Sequence, residues 1–198
     1  SPDGKIIASG GWDGSVKLWD AEPGEPPRTL SEAGAKVQCV AFCPDGRRVA
    51  VARRDGHVYI YDVTGEDGPV VLPGHSGWAR AVAFSPDGGL IASAGDDNLV
   101  KVWDARSYAL LTALKGHSQW VKAVAFSPDG ARLVSADDAG ALKLWDPRAG
   151  RELLSWQAHS AVIWSVSFSP DGLAIASAGA DRLVHIWRAL PWGGPKKQ

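Results

Sequence analysis

Three residue types that together perform acyl transfer recur in this chain: His75, Ser93 and Asp97, and again His159, Ser177 and Asp181. A histidine held between a serine and a carboxylate can take the serine proton and make a nucleophile. The spacing argues against that use. Each residue of the second set lies 84 positions after its counterpart, whereas an active site is built once, in an open cleft with an oxyanion hole. No unique pair of carboxylates, no histidine cluster at metal spacing and no glycine-rich phosphate loop accompanies them. The recurring Ser-Pro-Asp-Gly lacks the lysine and helix start that a phosphate loop needs. Cys39 and Cys43 have no second Cys/His pair near them in sequence. They read as two buried free thiols and favour a reducing compartment. We expect no catalytic residues, no metal and no cofactor.

What positions these residues is a repeat. Ser1-Pro2-Asp3-Gly4 returns as Cys43-Pro44-Asp45-Gly46 and then as Ser-Pro-Asp-Gly at 85–88, 127–130 and 169–172, always 42 residues on. Self-similarity at a fixed period means one supersecondary unit stacked on the next. Within residues 75–116, ARAVAFS at 79–85 is apolar and β-prone, and Pro86-Asp87-Gly88 carries turn chemistry. LIASA at 90–94 reads as a second strand, Asp96-Asp97-Asn98 as a tight hairpin turn, LVKVW at 99–103 as a third strand and ALLTAL at 109–114 as a fourth. Four short antiparallel strands per unit, in tandem, predict an all-β partial propeller of about five blades rather than a sandwich, which needs no such register. The units are 1–30, 35–72, 77–114, 119–156 and 161–187, within a domain over 1–190. The first unit lacks its first strand and the last its fourth. Residues 191–198, rich in glycine and proline, read as a flexible tail.

These residues resemble the WD-repeat family of β-propellers. The resemblance rests on Gly-His, then SPDG, then IASAGDDNLVKVWD at 91–104, with Trp-Asp at 19–20, 103–104 and 145–146. Tyr61-Asp62 and Trp187-Arg188 stand in its place in two units. The resemblance covers nearly the whole chain. It implies a platform for protein interactions in a ring of about seven blades, and in each blade a buried tetrad joining a His, a Ser, a turn Asp and the Trp that ends the third strand. By register the tetrads are His75, Ser93, Asp97 and Trp103; His159, Ser177, Asp181 and Trp187; and His117, Ser135 and Trp145, where Ala139 holds the Asp position and the neighbouring Asp138 is the expected substitute. The first unit supplies Ser9, Asp13 and Trp19. The second holds Ala33, Val51, Asp55 and Tyr61, which cannot form a tetrad, so it is expected to be the least rigid or a specialised blade. Ser93 and Ser177 are therefore structural and not nucleophiles.

The resemblance also implies a docking face around the central channel. By register it carries Trp12, Lys36, Arg54, Trp78, Arg80, Trp120, Lys122 and Trp164, with Gln38, Asp96, Asp138, Val162 and Ala180 at the remaining positions. Trp and Arg dominate binding hot spots, and Arg captures carboxylate or phosphate in a bidentate fork. The expected partner is a protein or peptide with acidic or phosphorylated groups and an apolar anchor. A net charge of −1 over 198 residues, with no basic run longer than a pair such as Lys196-Lys197, argues against nucleic acid and anionic membranes.

There is no run of 18 apolar residues and no N-terminal signal pattern, and methionine is absent. We expect a C-terminal piece of a longer, bacterial-type protein of intracellular, cytoplasmic location, about two repeats short of a ring, with open blade edges that promote oligomerisation. The leading function is a non-catalytic interaction scaffold. The alternative is a sensory or regulatory module of a larger kinase- or protease-linked enzyme, with its chemistry elsewhere.

Overall fold

The protein is described by a computed structural model over residues 1–22 and 24–188. Every regular element among them is a β-strand. The first sheet is β1 (Ile6–Gly10), β2 (Val16–Asp20) and β3 (Arg28–Ser31); the second β4 (Val37–Phe42), β5 (Arg48–Arg53), β6 (Val58–Asp62) and β7 (Val70–Leu72). The third is β8 (Ala79–Phe84), β9 (Leu90–Gly95), β10 (Val100–Asp104) and β11 (Leu110–Leu114). The fourth is β12 (Val121–Phe126), β13 (Leu133–Asp137), β14 (Ala141–Asp146) and β15 (Arg151–Gln157); the fifth β16 (Ile163–Phe168), β17 (Ala174–Gly179) and β18 (Val184–Arg188). Each strand pairs antiparallel with its chain neighbour. The chain is an all-β partial propeller of about 42-residue repeats. The 191–198 stretch and the end of the 1–190 span lie outside the described residues.

The Ser-Pro-Asp-Gly stretches make the first hairpin of their units. In the third sheet the Gly88 N–H donates to Ser85 O at 2.8 Å and the Leu90 N–H to Ser85 Oγ at 2.9 Å. Gly88 has φ of 67°, and Gly4, Gly46, Gly130 and Gly172 lie within a few degrees of it. That left-handed backbone is accessible to glycine at little cost, which is why the fourth residue of the motif does not vary.

The core lies between sheets. Val16 and Leu18 of the first sheet pack with Val37, Val49 and Val51 of the second. Ala50, Val58 and Ile60 meet Val82, Ile91 and Trp103 of the third. Val100, Val102 and Leu114 meet Val121, Leu133 and Trp145 of the fourth, and Leu142 and Leu144 meet Ile163, Val166 and Ile175 of the fifth. Each such aliphatic side chain contributes about 1.5–3 kcal/mol on burial. Arginines add cross-links: Arg148 pairs with Asp87 at 3.0 Å, and Arg48 donates to Ala105 O.

One irregularity repeats. The pairing of the innermost strand with the next slips between Val37 and Cys39, Ala79 and Ala81, Val121 and Ala123, and Ile163 and Ser165. The extra residue of these β-bulges is Gln38, Arg80, Lys122 or Trp164. A bulge re-aims its side chain out of the ladder, and these residues stand on the expected docking face.

Candidate functional site

The His/Ser/Asp sets are buried networks. In the third sheet the Trp103 indole N–H donates to Ser93 Oγ at 3.1 Å, Ser93 Oγ lies 2.9 Å from His75 Nε2, and His75 Nδ1 lies 2.7 Å from Asp97 Oδ1. An ionised carboxylate only accepts, so Nδ1 carries the proton and Nε2 accepts from the serine hydroxyl. The fifth sheet repeats this with Trp187, Ser177, His159 and Asp181 at 2.9, 2.8 and 2.9 Å. Ser93 is fully buried and its oxygen already accepts from an indole. A substrate carbonyl has no approach to it, so the trio serves the fold. A satisfied network of this kind rigidifies the blade.

The fourth sheet departs from the expectation. His117 bonds Ser135 at 2.6 Å and Trp145 bonds Ser135 at 2.7 Å, but the carboxylate on His117 Nδ1 belongs to Asp137, at 2.8 Å, and not to Asp138. Asp138 instead faces Lys122 at 3.3 Å. In the third and fifth sheets the position of Asp137 is Gly95 or Gly179, where an added Cβ would stand 2.5 Å from the imidazole of His75 or His159. Asp137 thus approaches the histidine from the strand end, and Ala139 leaves the turn position empty. Burial pushes the Asp97 and Asp137 carboxyls up, but the histidine bonds and backbone N–H donors outweigh it and hold both below the ordinary range. Asp181 is held down chiefly by its bond to His159.

The second sheet lacks a tetrad, as expected, yet the space is filled. At the same strand-end position stands Arg53, which is buried. Its guanidinium donates to Tyr61 Oη and Ser31 Oγ, both at 3.0 Å, and lies 4.6 Å from the Tyr59 ring centre. An added Cβ at Gly34 would stand 2.3 Å from Arg53 Nη1, so the arginine fills the site beside the loop that elsewhere carries the histidine. The reading of this blade as the least rigid is not supported by that packing. In the first sheet Trp19 donates to Ser9 Oγ at 2.8 Å, while the carboxylate of Asp13 accepts from the Ser15 N–H.

The expected docking residues are brought together in a specific way. A backbone bond joins the residue before each innermost strand to the one after the next strand: Arg54 N to Lys36 O, Asp96 N to Trp78 O, Asp138 N to Trp120 O, and Ala180 N to Val162 O, at 2.7–3.0 Å. Side chains then stack across blades. Arg54 lies 4.9 Å from the Trp12 ring centre and 3.9 Å from that of Trp78; Arg80 lies 4.2 Å from Trp78 and 5.6 Å from Trp120; Lys122 lies 4.8 Å from Trp120. Lys36 covers Trp12 at 4.9 Å. The result is a ladder of alternating cations and indoles. Trp164 continues the face with 60% of its surface exposed, and Trp12 exposes 67%. Arg80 is held by Asp96 through Nε at 2.6 Å and Nη2 at 2.8 Å. No such carboxylate meets Arg54 among the described residues.

Two other features carry less chemistry. A groove of about 880 Å³ between the fourth and fifth sheets, away from the ladder, is lined mainly by Leu144, Leu154, Trp156, Phe168, Ile175 and Trp187. His159, Asp181 and His185 could offer three metal ligands within 4.8 Å of one another. His159 already commits Nδ1 to Asp181 and Nε2 to Ser177, so a metal would have to displace the tetrad bond. Cys43 is buried and Cys39 only partly so, and burial raises both thiols. Among the described residues no helix is long and apolar enough to cross a membrane.

Sequence reasoning missed Asp137 and Arg53. The signal was present: both break a position that is glycine in the other three units. A family model described as WD domain, G-beta repeat, matches residues 1–20, 24–62, 69–104, 108–146 and 150–188. Each of the middle matches begins at or before the outermost strand of one sheet and ends on the third strand of the next. A comparison with curated proteins returns no match.

Proposed function

The chain belongs to the WD-repeat family, whose members generally serve as protein-interaction scaffolds and are typically non-catalytic, and we propose that it binds a peptide or protein on the face formed by Trp12, Lys36, Arg54, Trp78, Arg80, Trp120, Lys122 and Trp164. The observation that carries this reading is the continuous cation–indole ladder. Stacking immobilises side chains that would otherwise lose entropy on binding, and a preordered Trp/Arg surface is the composition of a hot spot. The bulges at Arg80, Lys122 and Trp164 aim those side chains out of the sheet. An intracellular location is part of the same reading, supported by two free thiols.

The test is a displayed random-peptide library selected on the chain. Selected peptides should lose at least tenfold in affinity for the Trp78→Ala, Arg80→Ala double variant, measured on protein whose circular dichroism shows the β-fold intact. Undiminished binding would overturn the assignment of the face.

A further inference from the structure

We propose that Lys36 and Arg54 form a subsite for one phosphate group on the protein partner, a phosphorylated side chain; the proposal rests on the reading of the ladder as the docking face. The argument starts from charge. Going round the face, the third sheet presents Trp78, Arg80 and Asp96, and the fourth Trp120, Lys122 and Asp138. In each, a cation is met by a carboxylate: Arg80 by Asp96 and Lys122 by Asp138. The second sheet inverts the pattern. Lys36 stands where the others have Trp, Gln38 where they have a cation, and Arg54 where they have Asp.

That inversion leaves two cations and no acid. The backbone bond from Arg54 N to Lys36 O holds the two residues side by side. Lys36 Nζ and Arg54 Cζ both lie 4.9 Å from the Trp12 ring centre, so one indole carries both charges. Neither forms a salt bridge among the described residues, and the buried Nε of Arg54 has no hydrogen-bond partner. Two like charges held against one ring repel, and a bound anion offsets that repulsion. The Trp12 and Trp78 rings grip the guanidinium, which fixes its orientation while its edge N–H groups remain to donate. A fixed fork and an ammonium that share one indole suit a tetrahedral dianion, with charge-assisted bonds roughly twice as strong as neutral ones. A phosphorylated side chain carries about −1.5 to −2 at neutral pH and matches the two cations; a single carboxylate does not. A nucleic-acid backbone would extend its further phosphates over Asp96 and Asp138, which disfavours it.

The probe is phenyl phosphate, titrated at neutral pH into the ¹⁵N-labelled chain, with benzoate and a short single-stranded oligonucleotide in parallel. Phenyl phosphate should saturably shift the Arg54 side-chain N–H and the Trp12 and Trp78 indole N–H signals. Lys36→Gln and Arg54→Gln should each weaken it at least tenfold at unchanged melting temperature. Arg54→Lys, which keeps the charge and loses the fork, should weaken it less than Arg54→Gln, and Arg106→Gln, at an exposed arginine in the turn between β10 and β11, not at all. No shift at Arg54, equal binding of benzoate, tighter binding of the oligonucleotide, or binding indifferent to Arg54→Gln would each overturn the subsite. Phenyl phosphate binding that is indifferent to Arg54→Gln, alongside library peptides that lose affinity for the Trp78/Arg80 double variant, would sink the subsite and leave the face standing. If Arg54→Gln lowers the melting temperature, the comparison of Arg54→Lys with wild type decides.

Discussion

The carboxylate of Asp137 lies 2.8 Å from Nδ1 of His117, although Asp137 stands two residues before the position from which Asp97 and Asp181 reach their own histidines. Two changes at neighbouring positions therefore compensate: the turn lost its carboxylate at Ala139 and the strand end gained one where glycine stands elsewhere. The same hydrogen-bonded endpoint is reached by a different path of the chain.

That exchange can be reversed by mutation. Asp137→Gly should destabilise the chain by about 1–3 kcal/mol, the cost of a buried donor left without its acceptor. Adding Ala139→Asp to it recreates the pattern of the third and fifth sheets and should recover most of the loss. Asp138→Ala should leave the His117 network intact, since Asp138 faces Lys122 and touches no member of that network, and it should not be rescued by Ala139→Asp. Urea unfolding followed by circular dichroism checks all three. Failure of the second change to restore stability would refute the compensation.

Gly95 and Gly179 should resist a side chain as long as the turn carboxylates of Asp97 and Asp181 hold the histidines in place. An alanine Cβ would stand 2.5 Å from the imidazole atoms of His75 or His159, and neither histidine can retreat without breaking bonds to Ser and Asp. Gly95→Ala is expected to cost about 1–3 kcal/mol by overpacking. The companion Gly89→Ala, with no neighbour closer than 3.4 Å in space, serves as control in the same melt. An effect no larger than the control's would contradict the packing described.

Arg53 should act with Tyr61. Arg53→Leu leaves the Tyr61 hydroxyl without its donor at 3.0 Å, a loss of about 1–3 kcal/mol. With Tyr61→Phe already in place, Arg53→Leu should cost measurably less. A double-mutant cycle reads the coupling, which should exceed about 0.5 kcal/mol for residues in contact. Strict additivity would mean the arginine is merely accommodated.

The tetrad carboxylates set the acid response. Asp97, Asp137 and Asp181 have folded-state values below the ordinary 3.8, so the unfolded chain binds protons more readily than the folded one. Their contribution is complete above about pH 3.8 and is lost as pH falls through the lower folded-state values. Thermal melts should show a stability plateau above that point and a decline below it. Asp137→Asn should make the decline shallower; an unchanged acid limb would show that these groups do not govern it.

Much of the architecture was legible because it is written in local chemistry at a fixed interval. The turn Ser-Pro-Asp-Gly sets φ through its proline and glycine without help from distant residues, and alternation around it gives strands whose ends match within a residue or two. The pairing of Ser93 with His75 and Trp103 followed from the family resemblance carried over by register, because all three stand at the usual places of the repeat. The substitution of Asp137 for the turn carboxylate did not, because two residues along a strand end and the following turn are equivalent only once the chain has bent around the imidazole. Arg53 was hidden for a related reason: its departure from the glycine of three other units marks the position as unusual, but not that its side chain fills the space beside Ala33, Val51 and Tyr61.

The proposed docking residues divide along the same line. Their positions followed from the family resemblance carried over by the 42-residue period, since each occupies one of three recurring places in its blade. That Arg54 stacks between Trp12 and Trp78 of the two neighbouring blades, and meets no carboxylate, is a relation across blades. Such a relation depends on the separation and angle at which sheets pack, and those come from the summed volumes of interdigitating core side chains rather than from any one repeat. The sequence determined which side chains face outward in every unit; only the packing of sheet on sheet decided which of them touch, and so which charges are left without a partner.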